Sequence, residues 1–375
     1  MNGFLFHKTV SFSTRYPNIV QRIHAIDPIT YGSTRNFIDG AVTYLSPYIS
    51  RGVVSTRQVF NSVLQRGYRL KDIEKFIQEL AWRDYWQQLW VAKGDAINTD
   101  LKKRQHPVGN TAISAAIVNA TTGIEAIDTA IAHFYATGYL HNHVRMYIAS
   151  VACNIAQSHW KLPAHWMYYY LLDADWASNA LSWQWVAGAN SPKKYYANQE
   201  NINRYCYTTQ KDTFLDVGYD AFATLEIPKV LQELNPLCLE TPLPAAHPIT
   251  IDDTLPTLLY NFYNLDPLWK EEISANRILL LEPSHFKAYP VSQKTIDFVL
   301  GLSKNIKDIQ VYVGEFHQLI DSYALQNIHY KEHPLNSHYQ GTEMPRDWMF
   351  DVRGYYPSFF AFWKKCKKEI TVTKT

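Results

Sequence analysis

The sequence predicts a mainly α-helical protein that ends in a small α/β unit. Apolar residues recur at helical spacing through most of residues 56–185, and short β-branched runs alternate with helical segments after residue 276. Residues 236–256, between these parts, hold five prolines, which is typical of a linker. We therefore predict a helical domain over residues 1–235, a Pro-rich linker over 236–275 and an α/β domain over 276–375.

Composition narrows the class of protein. The chain has 375 residues, of which 47% are hydrophobic, so it is long enough for two cored domains. Residues 1–104 carry 15 Lys and Arg against 8 Asp and Glu, which fits either a polyanion partner or an ordinary basic surface. No apolar run of about 18 residues and no secretion signal is evident, so we expect a cytoplasmic protein without membrane contact. Four scattered cysteines without a CxxC pair argue against a metal site.

The first long helices have clear boundary signals. Ser55 is placed to cap a helix over Thr56–Gln65 that Gly67 closes, and a second helix is predicted over about 71–92, ending before Gly94. On this second helix Glu79, Trp82 and Arg83 share one face. A tryptophan beside a Glu–Arg pair fits ordinary packing, and it also fits a platform on which a nucleic-acid base stacks.

Residues 122–185 combine a helical pattern with polar residues that are hard to bury. Helices are predicted over 123–136, 141–160 and 163–172, with a polar bend at 173–179. Buried polar groups must be paired or must meet a ligand, because leaving them unpaired costs several kcal/mol. The polar residues in this stretch are Asn142, Arg145, Asp173, Asp175 and Asn179, and five tryptophans lie among them.

The last hundred residues alternate between the two element types. Strands are predicted over 277–281, 309–313 and 328–330, and helices over 293–302 and 314–323. Alternation at these lengths indicates parallel strands joined by helices. No glycine-rich phosphate-binding motif lies in this part, so nucleotide binding there is not predicted.

Five sequence blocks resemble the flavin-binding domain of the photolyase/cryptochrome family, in the same order and at similar spacing. They are SPYISRGVVS (46–55), ELAWRDYW (79–86), TGIEAIDTA (122–130), TGYLHNHVRM (137–146) and LLDADWASNALSWQW (171–185). The resemblance implies an all-helical domain that binds FAD. It does not specify an antenna chromophore.

The resemblance also implies which residues contact FAD. The pyrophosphate and ribose positions correspond to Tyr31, Arg35, Thr43, Leu45 and Ser46, and the position of a phosphate contact to Arg83. The isoalloxazine ring would be surrounded by Asn142, Arg145, Asp173, Asp175 and Asn179. Within this set the family has an Arg–Asp salt bridge over the flavin, which corresponds to Arg145 and Asp173, while Asn179 would face the ring N5.

The implied activity is blue-light-driven DNA repair, with damaged DNA as partner and a monomeric enzyme. Reduced FAD would pass an electron to a flipped-out cyclobutane pyrimidine dimer and split it. Asn142 and Met146 favour the cyclobutane branch, because the branch that acts on (6-4) lesions has histidines at these positions. A cryptochrome-like photoreceptor without repair activity and a flavin-free binding protein remain alternatives. The residues expected to hold the dimer are Glu79, Trp82, Asn142, Met146 and Trp185.

Several positions depart from the family pattern. His143 and His133 replace arginines, which predicts weaker DNA contacts. Trp183 and Trp160 match the first two members of the family's electron-transfer chain, and the third has no counterpart. About 30 residues precede the first flavin motif, too few for the family's N-terminal antenna domain, so we expect the unit over 276–375 to stand in its place.

Overall fold

The structure, a computed structural model, describes residues 10–372. The first nine residues of the predicted helical domain therefore lie outside the described part. Its helices are Tyr16–His24 (α1), Pro28–Thr34 (α2), Ser46–Ser50 (α3), Thr56–Leu64 (α4), Leu70–Lys93 (α5), Ala115–Val118 (α6), Glu125–Thr137 (α7), Asn142–Ser150 (α8), Lys161–Tyr170 (α9), Trp176–Ala187 (α10), Gln199–Cys206 (α11), Pro283–Ala288 (α12), Gln293–Ser303 (α13), Phe316–Ser322 (α14) and Phe359–Val372 (α15).

The described part of the chain also contains seven short strands. They are Ile113–Ser114 (β1), Leu234–Asn235 (β2), Pro256–Tyr260 (β3), Asn276–Leu281 (β4), Ile309–Val313 (β5), Gln326–Lys331 (β6) and Thr342–Met344 (β7). The last five form one parallel sheet in the order β5-β4-β3-β6-β7. The predicted fold class, mainly helical with an α/β unit, is confirmed.

The chain divides into two compact units that differ from the predicted domains. The helical unit contains Thr30–Val42 and Asp95–Leu239, and the sheet unit contains Ser13–Ile29, Thr43–Gly94 and Glu240–Thr375. The predicted boundaries followed chain order. In the structure α1, α3, α4 and α5 group with the C-terminal part, because α5 packs against α15.

Helices α4 and α5 begin or end at the capping residues that the sequence predicted. Ser55 and Gln58 form a capping box at the start of α4, and α5 ends before Gly94. The helix predicted over 141–160 is too long. It ends as α8 and a π-helical turn at Val151–Ile155, and the chain then turns at Gln157, whose φ is 56°. The His159 N–H then donates to the Asn110 carbonyl, 2.8 Å away, instead of continuing a helix.

The central strand of the sheet lies inside the predicted linker. Strand β3 begins at Pro256, where the missing N–H costs little at the first residue of a strand, and its register with β6 shifts between Pro256 and Leu258. Leu259, Ile278 and Leu280 from β3 and β4 pack with Phe316 and Leu319 of α14 in one apolar core. Among residues 10–372, no helix is long and apolar enough to cross a membrane.

Candidate functional site

A buried ion pair joins α8 to the segment that leads into α10. Arg145 Nη2 donates to both carboxylate oxygens of Asp173, at 3.1 and 2.9 Å, and its Nε donates to the Leu140 carbonyl at 2.8 Å. The Asp173 side chain is only 6% exposed. Because Nη2 and Nε are held by different partners, both the plane and the charge of the guanidinium group are fixed. The structure therefore contains the Arg–Asp pair that the resemblance implied.

Asp175 and Asn179 stand one helical turn apart at the start of α10. The Asp175 carboxylate caps this helix, accepting the Ser178 N–H at 2.7 Å. The Asn179 amide nitrogen donates to the Ala164 carbonyl at 2.7 Å, which fixes the amide orientation and leaves its carbonyl oxygen and second N–H for another partner. Both side chains are buried. Because α8 packs against α10, these two residues and the ion pair lie on neighbouring elements of the helical unit.

Residues predicted to hold a pyrimidine dimer on these helices are more exposed. Asn142 is the first residue of α8 and is exposed, and Met146 follows one turn later, half-buried. Trp185, near the end of α10, is 38% exposed and lies 6.1 Å from the Tyr195 ring. An indole that remains this accessible is able to stack on a base.

His143 stands where the resemblance predicted an arginine. Its Nδ1 donates to the Asn36 carbonyl at 3.0 Å, and its ring lies 4.7 Å from the rings of both Tyr147 and Tyr205. Burial lowers the pKa of His143, as it does that of His133. Both rings are therefore neutral near pH 7, and neither supplies the positive charge of an arginine.

Trp82 and Glu79, the other predicted dimer contacts, belong to the sheet unit on α5. The Trp82 ring is stacked on Phe359 of α15, and Glu79 pairs with Lys75 at 3.2 Å. Arg83 donates to the Ser50 hydroxyl and to the Ser46 carbonyl. Sequence analysis missed Phe359, although the run FFAFW at 359–363 marked an aromatic helix face.

The remaining residues predicted for the phosphate and ribose side are divided between the units. Tyr31 and Arg35 belong to the helical unit, where Arg35 donates to the Gly32 carbonyl at 3.3 Å. Thr43, Leu45 and Ser46 belong to the sheet unit, where the Thr43 hydroxyl accepts the Leu45 N–H at 3.3 Å. The structure therefore brings the ring-side residues together within one unit and distributes the phosphate-side residues over two.

The two predicted electron-transfer tryptophans are both buried in the helical unit. Trp183 lies on α10, and Trp160 precedes α9, with its Nε1 donating to the Asp100 carboxylate at 2.8 Å. A further indole, Trp176, lies 6.5 Å from Trp160 by ring centroids and stacks on His165 at 4.2 Å. Trp176 was not predicted as a member of the electron-transfer series, because only the fold, and no sequence pattern, places it beside Trp160.

The donors and acceptors on α8 and α10 suit a flavin. A cation, two carboxylates and an oriented amide match a ring system with donors and acceptors on its edge. One buried atom at the start of α10, the Ser178 hydroxyl, has no hydrogen-bond partner among the described residues. Buried polar groups of this kind are normally satisfied, so a ligand here would remove a cost.

Comparison with known proteins identifies the type of domain that contains these helices. The family model described as the FAD binding domain of DNA photolyase matches residues 76–215. This match shows that residues 76–215 form a domain of the photolyase/cryptochrome type. FAD is the cofactor of this domain.

The proteins to which this chain is similar include photolyases and cryptochromes. The deoxyribodipyrimidine photo-lyase of Streptomyces griseus is 31% identical over 152 residues, which cover 40% of this chain and 33% of that protein. Cryptochrome DASH of Ostreococcus tauri is 32% identical over 199 residues, or 50% of this chain and 35% of that protein. The cryptochrome structure from Synechocystis is 22% identical with a TM-score of 0.49, covering 60% of this chain and 49% of that one. The chain spans about a third of the length of these curated relatives.

Proposed function

We propose that the protein is a light-driven DNA-repair flavoprotein that splits cyclobutane pyrimidine dimers. The observation that carries the proposal is that the predicted site residues on and beside α8 and α10 fall into a buried group and an exposed group. Among the residues predicted to surround the flavin ring, Asp173, Asp175 and Asn179 are buried, whereas Trp185, predicted for the dimer, and Asn142, predicted for both ligands, are exposed. Two packed helices therefore offer one set of side chains to an enclosed cofactor and another to a ligand from solution.

Each group has a defined part in this function. The chemistry that bound FAD supplies is light-driven transfer of one electron to the dimer and its return, so the dimer splits without net oxidation or reduction. Asp173 holds the Arg145 guanidinium group in a fixed orientation, so that an oriented ion pair stands beside the cofactor. Trp185 stacks on the flipped base, while Asn142 supplies an amide to its edge.

The direct test uses the flavin-loaded protein and an oligonucleotide that carries one thymine dimer. Under blue light and a reductant, we expect the dimer to be converted to two thymines, and we expect Trp185→Ala to slow this conversion. Tyr219→Ala is the matched control, because Tyr219 is 56% exposed in the same unit and belongs to neither predicted set. Unchanged dimer after illumination of the flavin-loaded protein would contradict the proposal.

A photoreceptor without repair activity is the second candidate, and one contact favours it. Phe359 covers a face of Trp82, the residue predicted to form one wall for the dimer. A protein that only signals needs no free face there. The two candidates differ in DNA binding: a repair enzyme binds dimer-containing DNA more tightly than undamaged DNA, and a photoreceptor binds both alike.

A further inference from the structure

The parallel sheet has a switch in strand order beside its central strand. From β3 the chain proceeds to β4 and β5 on one side, and then to β6 and β7 on the other. In sheets of this kind ligands bind beyond the carboxyl ends of the strands, at the point where the order reverses. Here that point is formed by Asn261–Asn264 after β3 and by His333 after β6.

A buried arginine lies against the loop after β3. Arg51 is fully buried, and its guanidinium carbon is 3.5 Å from the centre of the Phe262 ring and 5.2 Å from that of Tyr263. The Arg51 carbonyl accepts the Leu265 N–H at 2.8 Å. A Cβ at Gly52, whose φ is +65°, would lie 2.4 Å from the Tyr263 carbonyl oxygen, so glycine permits this close approach. Because arginine does not lose its proton in proteins, the loop packs on a permanent positive charge.

His333 offers a hydrogen-bond donor to the same place. Its Nδ1 accepts the Leu335 N–H at 3.3 Å, so the neutral ring carries its proton on Nε2. That Nε2 is buried and has no hydrogen-bond partner in the described part of the chain. Burial, together with the charges of Arg346, His285 and Arg51, lowers the pKa of His333 well below its ordinary value, which keeps the ring neutral.

Two more side chains at this point have buried polar atoms that find no hydrogen-bond partner in the described part of the protein. Both atoms of the Asn264 amide group lack one among residues 10–372, while its backbone N–H and carbonyl pair with Asn261. The Nε2 of His285 also lacks one, and its ring centre lies 5.5 Å from that of Phe262 and 5.9 Å from that of Tyr263. Each unsatisfied buried group costs about 1–3 kcal/mol, so a cluster of them indicates that something polar binds here.

We propose that this cluster, formed by Arg51, Asn264, His285 and His333, binds a small oxyanion such as a phosphate or carboxylate group. The guanidinium group, the His333 Nε2–H and the Asn264 amide are all donors, and oxyanions are the ligands that such a set prefers. The nearest carboxylate in sequence, that of Glu332, already accepts from Trp348 Nε1 and from the Arg346 N–H. It is therefore engaged elsewhere.

The aromatic residues of the cluster argue for an anionic group rather than a planar ring as ligand. Tyr263 stacks on His333 with ring centroids 4.1 Å apart, and Trp90 meets His333 edge-on at 5.0 Å. These side chains already cover one another's faces, so none of them offers a base or a flavin a free face on which to stack. The proposal rests on neither the FAD site nor DNA repair, and it stands or fails separately from them.

The first test measures thermal unfolding of the full-length, flavin-loaded protein in the presence of inorganic phosphate. We expect a saturable rise in Tm with phosphate and none with sodium chloride at equal ionic strength. Acetate and AMP distinguish the sources of the oxyanion: a rise with AMP indicates that the site accepts a phosphate carried by a larger molecule. If phosphate and chloride have the same effect, only internal water fills the cluster and the proposal is overturned.

Variants of His333 and Asn264 test whether the rise comes from this cluster. Asn at position 333 still accepts the Leu335 N–H but loses the Nε2 donor, whereas Gln keeps a donor at that reach. We expect His333→Asn to weaken phosphate binding about tenfold, the effect of losing one hydrogen bond to a charged ligand, and His333→Gln to retain it. Asn264→Asp, which keeps the shape and adds a repelling charge, should abolish binding even if His333→Asn does not fold. Unchanged phosphate affinity in Asn264→Asp would overturn the assignment.

Discussion

Phe359 lies face to face with Trp82, with ring centroids 3.8 Å apart and ring planes that differ by 10°. The two residues are 277 positions apart in the chain, and both belong to the sheet unit. If Trp82 is a wall for a flipped base, Phe359 competes with that base for the indole face. If the protein does not bind lesions, the stack is simply part of the packing of α15 on α5.

Replacing Phe359 separates these possibilities. We expect Phe359→Ala to tighten binding of dimer-containing DNA about tenfold, because one base–aromatic stack is worth about 1–3 kcal/mol. The same change lowers the free energy of unfolding by about 3–5 kcal/mol, since it empties a buried site. Phe360→Ala is the control, because Phe360 is 68% exposed on the same helix. Equal DNA affinity of the two variants, measured by fluorescence anisotropy, would show that Phe359 does not compete.

The Arg145–Asp173 pair predicts a large effect when one partner is removed. Asp173→Asn leaves the partly buried guanidinium without its carboxylate, and we expect the free energy of unfolding to fall by about 3 kcal/mol. We also expect the ratio of flavin to protein absorbance to decrease after purification. Lys75→Gln, which breaks the half-buried pair with Glu79 on α5, should change stability by less than about 1 kcal/mol. Similar losses in both variants, measured by urea unfolding, would contradict a special contribution of the buried pair.

Local signals in the sequence predicted much of the fold but not its grouping. Helix α4 follows from the Ser55 cap, and β4 and β5 follow from apolar runs. Strand β3 was missed because Pro256 begins it among other prolines, and a proline-rich composition does not show that a strand is central. The packing of α15 on α5 was missed because a contact between residues so far apart leaves no periodic trace in either segment. The ion pair was predictable from the family pattern, whereas the covering of Trp82 was not.

His141 predicts how stability depends on pH in the helical unit. Burial lowers its pKa to about 4, with smaller contributions from His143 and Arg145. The folded chain therefore binds fewer protons than the unfolded chain below about pH 6.5, the ordinary histidine value, and stability is lost as the pH falls from there towards 4. We expect this histidine to contribute up to about 1.4 kcal/mol per pH unit in that interval.

His141→Asn removes the titration and keeps the cap on α8. The His141 Nδ1 accepts the His143 N–H at 3.2 Å, and the amide oxygen of asparagine is able to accept the same bond. Urea unfolding at pH 5 and pH 7 measures the difference in stability for each protein. We expect this difference to be smaller in the variant than in the wild type. An unchanged pH dependence would mean that His141 is not the group that titrates.

The position of Trp160 leads us to expect that it affects the rate at which light reduces the flavin. Its Nε1 donates to Asp100, a carboxylate that stabilises positive charge on an oxidised indole. We expect Trp160→Phe to slow the light-driven loss of the oxidised-flavin absorbance band by at least about tenfold, equivalent to about 1.4 kcal/mol in the barrier. Trp176→Phe tests the neighbouring indole. An equal decrease in the rate of flavin photoreduction would show that Trp176 also carries the electron. A wild-type rate of flavin photoreduction in Trp160→Phe would show that Trp160 does not carry the electron.

The structure predicts how His143, which stands where the resemblance implied an arginine, contributes to DNA binding. Its ring is neutral and donates to the Asn36 carbonyl, so it makes no ionic contact with a phosphate. We expect His143→Asn, whose amide is able to keep that hydrogen bond, to leave the salt dependence of DNA binding unchanged at pH 7.5. A residue that does neutralise a phosphate changes the slope of log K against log salt by about one when it is removed. A decrease of that size in His143→Asn, against an unchanged slope in the control His133→Asn, would show that His143 is charged in the complex and grips the DNA backbone after all.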